Sequence, residues 1–451
     1  MTHKFFAFTI TILLVIQLPA QPMRQPDGGG PYIIQYHEED EMTSGQREDI
    51  INKLKSNEAA LRRQGLLPAR YTPLVTGFQW PIKQAPGSND NGYYCISNYV
   101  DEDNSAAILD YNCGTRTYNG HQGTDIVSWP FPWQKMALNI VQIIAAAPGT
   151  IIAKYDGNPD TSCAFCTSAC NWNAVYVMQS DGSVAWYGHM KTNSLTTKAI
   201  GQPVALGEFL GVVGSSGNST TPHLHFQVYT DNTYSQLVDP WAGTCNFMNG
   251  TTSWWASQQP YYISTLNKIM THSPPPEMPG CKSGEAVNGK INFVNGETVY
   301  LASYYRDQQN GQQAIHTIYK PDNSVYFTFS QSFTDYYVAS WWYYIVNLPN
   351  PAPTGMWRYE VAYNGQTTLS TYFGVNETGY TFTGNGNWDI ATNWNNNAIP
   401  PATLPAGREI LIYPIPAGEC VLNTTQTISN GAKITIIAGK KLKIPGNLVI
   451  Q

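Results

Sequence analysis

The sequence predicts a mainly β protein, and three observations carry that expectation. Only 12% of the residues are charged, roughly half the usual share, so Gly, Asn, Ser, Thr and Tyr supply the polarity. From about residue 75 onward, short β-branched and aromatic runs are broken repeatedly by glycine turns. Helical periodicity marks one stretch near the N-terminus. The expected order is an antiparallel β-sheet domain, an immunoglobulin-like sandwich and a short β-solenoid-like C-terminal region. A chain of 451 residues has room for two to four such units.

The elements follow in chain order. Residues 1–20 combine the positive charge of Lys4, an apolar run over 5–16 and a small-residue exit at Leu18, Pro19 and Ala20. That is the layout of a secretory signal peptide, too short to span a bilayer comfortably. Residues 21–74 read as a linker and a helical segment, the Pro- and Gly-rich part up to residue 35 being a flexible connector. Thr43 and Gln46 have capping-box spacing, and Ile50, Ile51, Leu54 and Leu61 share one helical face. A helix from residue 44 to Gln64, stopped by Gly65, is expected. The acidic run "HEEDE" before it reads as solvated linker.

Residues 75–282 form the first β domain, including the hairpin "AVYVMQSDGSVAWYGHM" with Asp181-Gly182 at its turn. Aromatic strands such as "GETVYLASYYRD" and "MWRYEVAYNGQ" then predict the immunoglobulin-like sandwich over 283–375. Residues 376–451 end in short apolar strands alternating with glycine turns, the pattern of solenoid rungs.

A net charge of −6 offers no basic surface, so nucleic acid is not an expected partner. No later segment is apolar enough to cross a membrane, and none is expected to in the mature chain. Eight cysteines behind an export signal point to disulfides. Cys95 and Cys113 are candidate partners by nearness in sequence. Cys163, Cys166 and Cys170 cluster like part of a metal knuckle, although disulfides are the expected use.

The chemistry gathers on histidine. In "STTPHLHFQVY" the polar His223, His225 and Gln227 alternate with Leu224, Phe226 and Val228, which is the period of a half-buried strand. Both imidazoles then leave the same face. Upstream, "YNGHQGTDIVSWP" carries His121 and Asp125, and "WYGHM" carries His189. Two histidines, one aspartate and a water would satisfy a tetrahedral zinc site. Taken singly, each motif is more simply a surface pair or a core histidine.

Taken in order, "HQGTD", "YGHM" and "STTPHLHFQV" resemble the M23 peptidases, the lysostaphin/LytM-type zinc metallopeptidases of peptidoglycan. The resemblance covers about residues 75–245 and departs at Thr221, where the family often has glycine. It implies Zn²⁺ held by His121, Asp125 and His225, with His189 and His223 as catalytic histidines outside the metal shell. It also implies a secreted, periplasmic or surface endopeptidase that cuts peptidoglycan peptides with zinc-activated water. Two rival readings are an inactive peptidoglycan-binding regulator of another hydrolase and a cell-surface adhesin. In the second, Trp341, Trp342, Trp388 and Trp394 of the C-terminal modules would touch glycan, although core packing explains them more simply.

Overall fold

Thr43 opens the only long helix among the described residues. Its hydroxyl accepts from the Gln46 backbone while the Gln46 side chain returns to the Thr43 amide, and the helix runs Ser44–Arg63. The computed structural model describes residues 22–451 apart from 36–41, 69–70, 72–76, 89, 167–169, 367, 377–378 and 416. The expectations for residues 1–20 and for the acidic run at 37–41 lie outside the described residues. Among those described, no helix is long and apolar enough to cross a membrane.

The fold is mainly β. An eight-stranded antiparallel sheet dominates the middle of the chain, with Tyr94–Asn98, Thr124–Ser128, His223–Tyr229, Val184–Tyr187, Ala174–Gln179, Gly149–Tyr155 and Pro203–Val204 side by side. The strand Leu237–Val238 pairs with His223–Tyr229 off that path. A three-stranded sheet, Phe209–Val212, Val141–Ile144 and Ile82–Gln84, belongs to the same apolar core. The Asp181-Gly182 hairpin forms as the sequence predicts.

Register sorts the side chains of the large sheet. Leu224, Phe226, Val228, Ile126, Val175 and Val177 enter the core with the small sheet. The opposite face carries Asp125, His223, His225, Gln227 and Tyr229 along its middle strands, because His225 lies across from Asp125 and His223 across from Val127. The His223–Tyr229 strand is therefore buried on both faces, not half-buried as its alternation predicts. Alternation marks the polar face but cannot tell whether another element covers it.

Two elements do cover it. Over Tyr176, Met178, Val184, Trp186 and Tyr229, the helix lays down Leu54 and Leu61, with Ile50 and Ile51 partly buried beside them. At the other end, Cys95, Val127 and Trp129 pack against Tyr32, Ile34, Ala302 and Tyr304. The histidines sit between these two covers.

The second cover belongs to a two-sheet β unit. One sheet orders Gly28–Pro31, Tyr337–Asn347, Thr298–Gln308 and Thr265–His272; the other orders Asn292–Phe293, Leu369–Val375, Gly355–Tyr363, Gln313–Tyr319 and Val325–Ser332. The strand Thr265–His272, inside the 75–282 stretch, thus pairs across into the following unit. The expected flexible connector over 21–35 is corrected in part, since Gly28–Pro31 forms an edge strand of this sheet. Its glycines make that approach possible: a Cβ on Gly29 would stand 2.2 Å from the Trp341 carbonyl oxygen. A buried Arg116–Asp307 ion pair at 2.8 Å joins the unit to the large sheet's loops.

Beyond residue 376, strands pair in parallel at successive levels, Tyr380 with Ile410 and Ile410 with Ile434, and two further parallel sheets repeat this arrangement. Trp388 and Trp394 lie in that region's core, each 2% exposed, so neither presents a face to sugar. Three disulfides close loops: Cys113–Cys245, Cys163–Cys281 and Cys166–Cys170. The expected Cys95–Cys113 pair does not form. Cys95 is a buried thiol on the edge strand Tyr94–Asn98, whereas Cys113 sits in the loop beyond it and meets Cys245.

Candidate metal centre

Asp125 and His225 face each other from adjacent strands, which brings His225 Nδ1 to 3.1 Å from Asp125 Oδ1. His121, in the loop that enters the Thr124–Ser128 strand, places Nε2 3.2 Å from the same oxygen and 3.3 Å from His225 Nδ1. The close approach depends on Gly123, where a Cβ would lie 2.4 Å from His225 Nε2. The ligand atoms of the three residues all lie within 4.8 Å of one another, and all three side chains are buried.

The partners behind each ligand fix what it presents. His121 Nδ1–H donates to the Tyr99 carbonyl at 2.6 Å, which leaves the lone pair on Nε2. Arg47, which can only donate, reaches Gln227 Oε1 at 3.2 Å and so fixes that atom as oxygen. His225 Nε2–H donates to the same oxygen at 3.2 Å, so its lone pair is on Nδ1. Asn98 Nδ2 donates to Asp125 Oδ2 at 2.9 Å and turns Oδ1 inward. Burial alone would raise the Asp125 carboxyl, yet the surrounding imidazoles, His121 and His223 foremost, hold it well below the usual carboxylate range.

Three lone-pair atoms at these separations repel one another unless a cation stands among them. Two imidazole nitrogens and one carboxylate oxygen are also the donor chemistry that zinc accepts. The residues present fit such an ion.

The other two histidines stand beside this group. His189 and His223 lie ring to ring with centroids 4.3 Å apart. Their Nδ1–H groups donate to backbone carbonyls, His189 to Ser216 at 2.6 Å and His223 to Thr221 at 2.8 Å. In both rings Nε2 is then the basic nitrogen, and that of His223 lies 3.6 Å from Asp125 Oδ1. His189 is held at φ 56°, a left-handed conformation uncommon for residues other than glycine. The Trp172 ring packs against both His189 and His225. Thr221, the departure from the family pattern, directs its hydroxyl to Tyr32 OH at 3.1 Å, away from the ligands.

The N-terminal segment flanks the centre on both sides. Ile34 and Gln35 line a 20 Å³ cavity with Asp125 and His223. Met42, Gln46 and Ile50 line a 410 Å³ cleft that reaches His189 and Trp172.

All five residues singled out in the sequence thus fall in one cluster, in an order and spacing that can be compared with known proteins. Residues 120–240 match the family model of Peptidase family M23. This segment is an M23 peptidase domain. Among solved structures, one similar chain is a catalytic-domain mutant of the prophage-encoded M23 protein EnpA from Enterococcus faecalis. It is 22% identical over 33% of this chain and 88% of that one, with a TM-score of 0.22. Another is the CARDB domain of a Pyrococcus furiosus protein in complex with di-metal ions, 8% identical over 26% of this chain and 97% of that one, with a TM-score of 0.18.

The sequence reading missed the residues that orient the M23 centre. Gln227 had a signal, since it shares the face of His223 and His225 two positions on. Asn98 had none, because its place depends on the Tyr94–Asn98 strand pairing with Thr124–Ser128 through an irregular register. Arg47 lies far outside the M23 segment, on the covering helix. The cysteine cluster is not a metal knuckle: Cys166 and Cys170 bond to each other, and Cys163 bonds to Cys281.

Proposed function

We propose that the protein is a secreted zinc endopeptidase that hydrolyses peptide bonds in peptidoglycan, with His121, Asp125 and His225 holding the metal. The observation that carries this reading is the convergence of three lone-pair atoms, each fixed from behind, inside an M23 domain. Zinc bound there supplies Lewis acidity and lowers the pKa of a coordinated water towards about 7.

The rest falls to the chain's own residues. His223 Nε2, beside the ligand carboxylate, takes up and returns a proton during attack on the amide carbonyl. Once protonated at Nε2, His189 donates a hydrogen bond to the oxygen that becomes negative in the tetrahedral state, and the neighbouring pair passes a proton to the leaving amine. No glutamate is needed as base. The backbone carbonyls of Ser216 and Thr221 hold both rings in the tautomer these steps require. Three disulfides fit an oxidising, extracytoplasmic compartment.

The deciding experiment is mass spectrometry of fragments released from purified peptidoglycan. Zinc-loaded protein is expected to free peptides with new amino termini, chelation to stop this, and added zinc to restore it. Full cleavage by zinc-free protein would end the metallopeptidase reading. Tight binding without cleavage by zinc-loaded protein would favour the inactive regulator.

A further inference from the structure

An open groove of about 840 Å³ lies beside the metal centre. Ser97, Asn98 and Tyr118 line both this groove and the small cavity at Asp125 and His223. Asn98 holds the ligand carboxylate, and the Tyr118 ring lies 4.3 Å from that of His121. The groove is therefore continuous with the residues that build the site.

Its far wall comes from the two-sheet unit. Tyr336, 40% exposed, meets Tyr262, 43% exposed, edge to face with ring centroids 5.0 Å apart. Tyr261 and Tyr118 add two further rings to the lining, with Asn112 and Asn119 among its polar groups. The single charged side chain in the lining is Arg116, and its guanidinium is engaged by Asp307 at 2.8 Å. A groove with tyrosine faces, neutral amides and hydroxyls, and no available charge selects a neutral ligand with flat apolar faces and a polar rim. Pyranose rings have that character. Peptides carrying carboxylates or amines would find no counter-charge here.

We propose that this groove is a glycan subsite: it binds N-acetylhexosamine rings on the Tyr262–Tyr336 pair while the attached peptide lies at the metal centre. The assignment rests on the peptidoglycan reading for the second half of that statement only. The two-sheet unit then completes the substrate site as well as covering the sheet.

The test uses the full mature chain stripped of metal with a chelator, so that binding is read without cleavage. Chitotetraose, an uncharged N-acetylglucosamine oligomer, is titrated calorimetrically into wild type, Tyr336→Ala, Tyr262→Ala and Tyr336→Trp. The proposal expects measurable binding to wild type, about tenfold or greater weakening in both alanine variants, and retention in Tyr336→Trp. Both tyrosines are substantially exposed, and thermal melts verify that the variants fold. Absence of chitotetraose binding to wild type, or equal binding by all four proteins, overturns it. So does a result in which a free stem peptide, and not the oligosaccharide, loses affinity in the alanine variants. The groove would then be a peptide subsite. A protein that binds the sugar through Tyr336 yet never cleaves peptidoglycan would sink the peptidase reading and leave the glycan subsite standing.

Discussion

Six histidines are described, and all six are buried, but they fall into two sets with opposite character. At the large sheet, His121, His223 and His225 surround one carboxylate with His189 stacked beside His223, and backbone or amide oxygens dictate the tautomer of each ring. In the two-sheet unit, His272 donates from Nδ1 to the Val287 carbonyl at 2.7 Å and accepts at Nε2 from Tyr304 OH at 2.9 Å. His316 stacks flat on Phe329 with centroids 4.7 Å apart. Burial pushes His272 down to about 4 and His316 down to about 3. Burial alone therefore does not make a histidine functional. What separates the sets is convergence: in one, lone pairs are aimed at a shared point, and in the other each ring is held apart from the other within an aromatic core.

The largest expected effects come from removing members of the convergent set. His225→Ala deletes a ligand, so bound zinc should fall from about one per chain to near zero, and peptide release should fall with it to background. His223→Ala and His189→Ala leave the three ligand atoms in place. Both should retain nearly stoichiometric zinc while kcat drops by about 10²- to 10⁴-fold. Metal analysis and kcat on the same preparations check both statements. If His223→Ala loses zinc and His225→Ala keeps it, the two roles must be exchanged.

A smaller effect tests whether the orientation behind the ligands matters. Asn98→Ala removes the hydrogen bond that turns Asp125 inward, leaving every ligand present. Zinc affinity, measured by competition with a chelator, should weaken by about 10- to 100-fold, with kcat largely recovered at saturating metal. Unchanged affinity would mean that strand pairing alone positions Asp125.

Much of this was legible before any coordinates. Capping at Thr43, alternation through His223 and His225, and the Asp181-Gly182 turn are local signals, and local physics decided them. The five candidate residues that the fold brings together were also legible, because each carries an unusual chemical group in a short motif. What could not be read depends on pairings between distant segments. Examples are the edge strand Gly28–Pro31, the strand Thr265–His272 in the neighbouring sheet, Asn98 behind Asp125, and Cys113 with Cys245. The same limit applies to the covered face of the His223–Tyr229 strand, since its cover comes from residues more than a hundred positions away on one side.

The smallest effect belongs to the histidines of the two-sheet unit, and it runs with pH. His316 is uncharged in the folded protein down to about pH 3, whereas an unfolded imidazole takes up its proton near 6.5. Its folded pKa is depressed, so the unfolded chain binds the extra proton as the solution is acidified. The corresponding stability is fully present above about pH 6.5 and is lost as pH falls from there towards about 3. The slope is about 1.4 kcal/mol per pH unit, a tenfold change in the unfolding constant. His272 adds a similar slope between about 6.5 and about 4. Urea unfolding of the protein at about pH 7 and about pH 5, in wild type and in His316→Gln, should show the slope with pH reduced by about 1.4 kcal/mol per pH unit in the substituted protein. The substitution itself will lower stability at neutral pH, since it disturbs the stack with Phe329 and the 2.8 Å contact to Tyr359 OH, so the diagnostic quantity is the slope with pH and not the midpoint. An unchanged slope would show that His316 is not held neutral by its burial, and the contrast between the two sets would then rest on His272 alone.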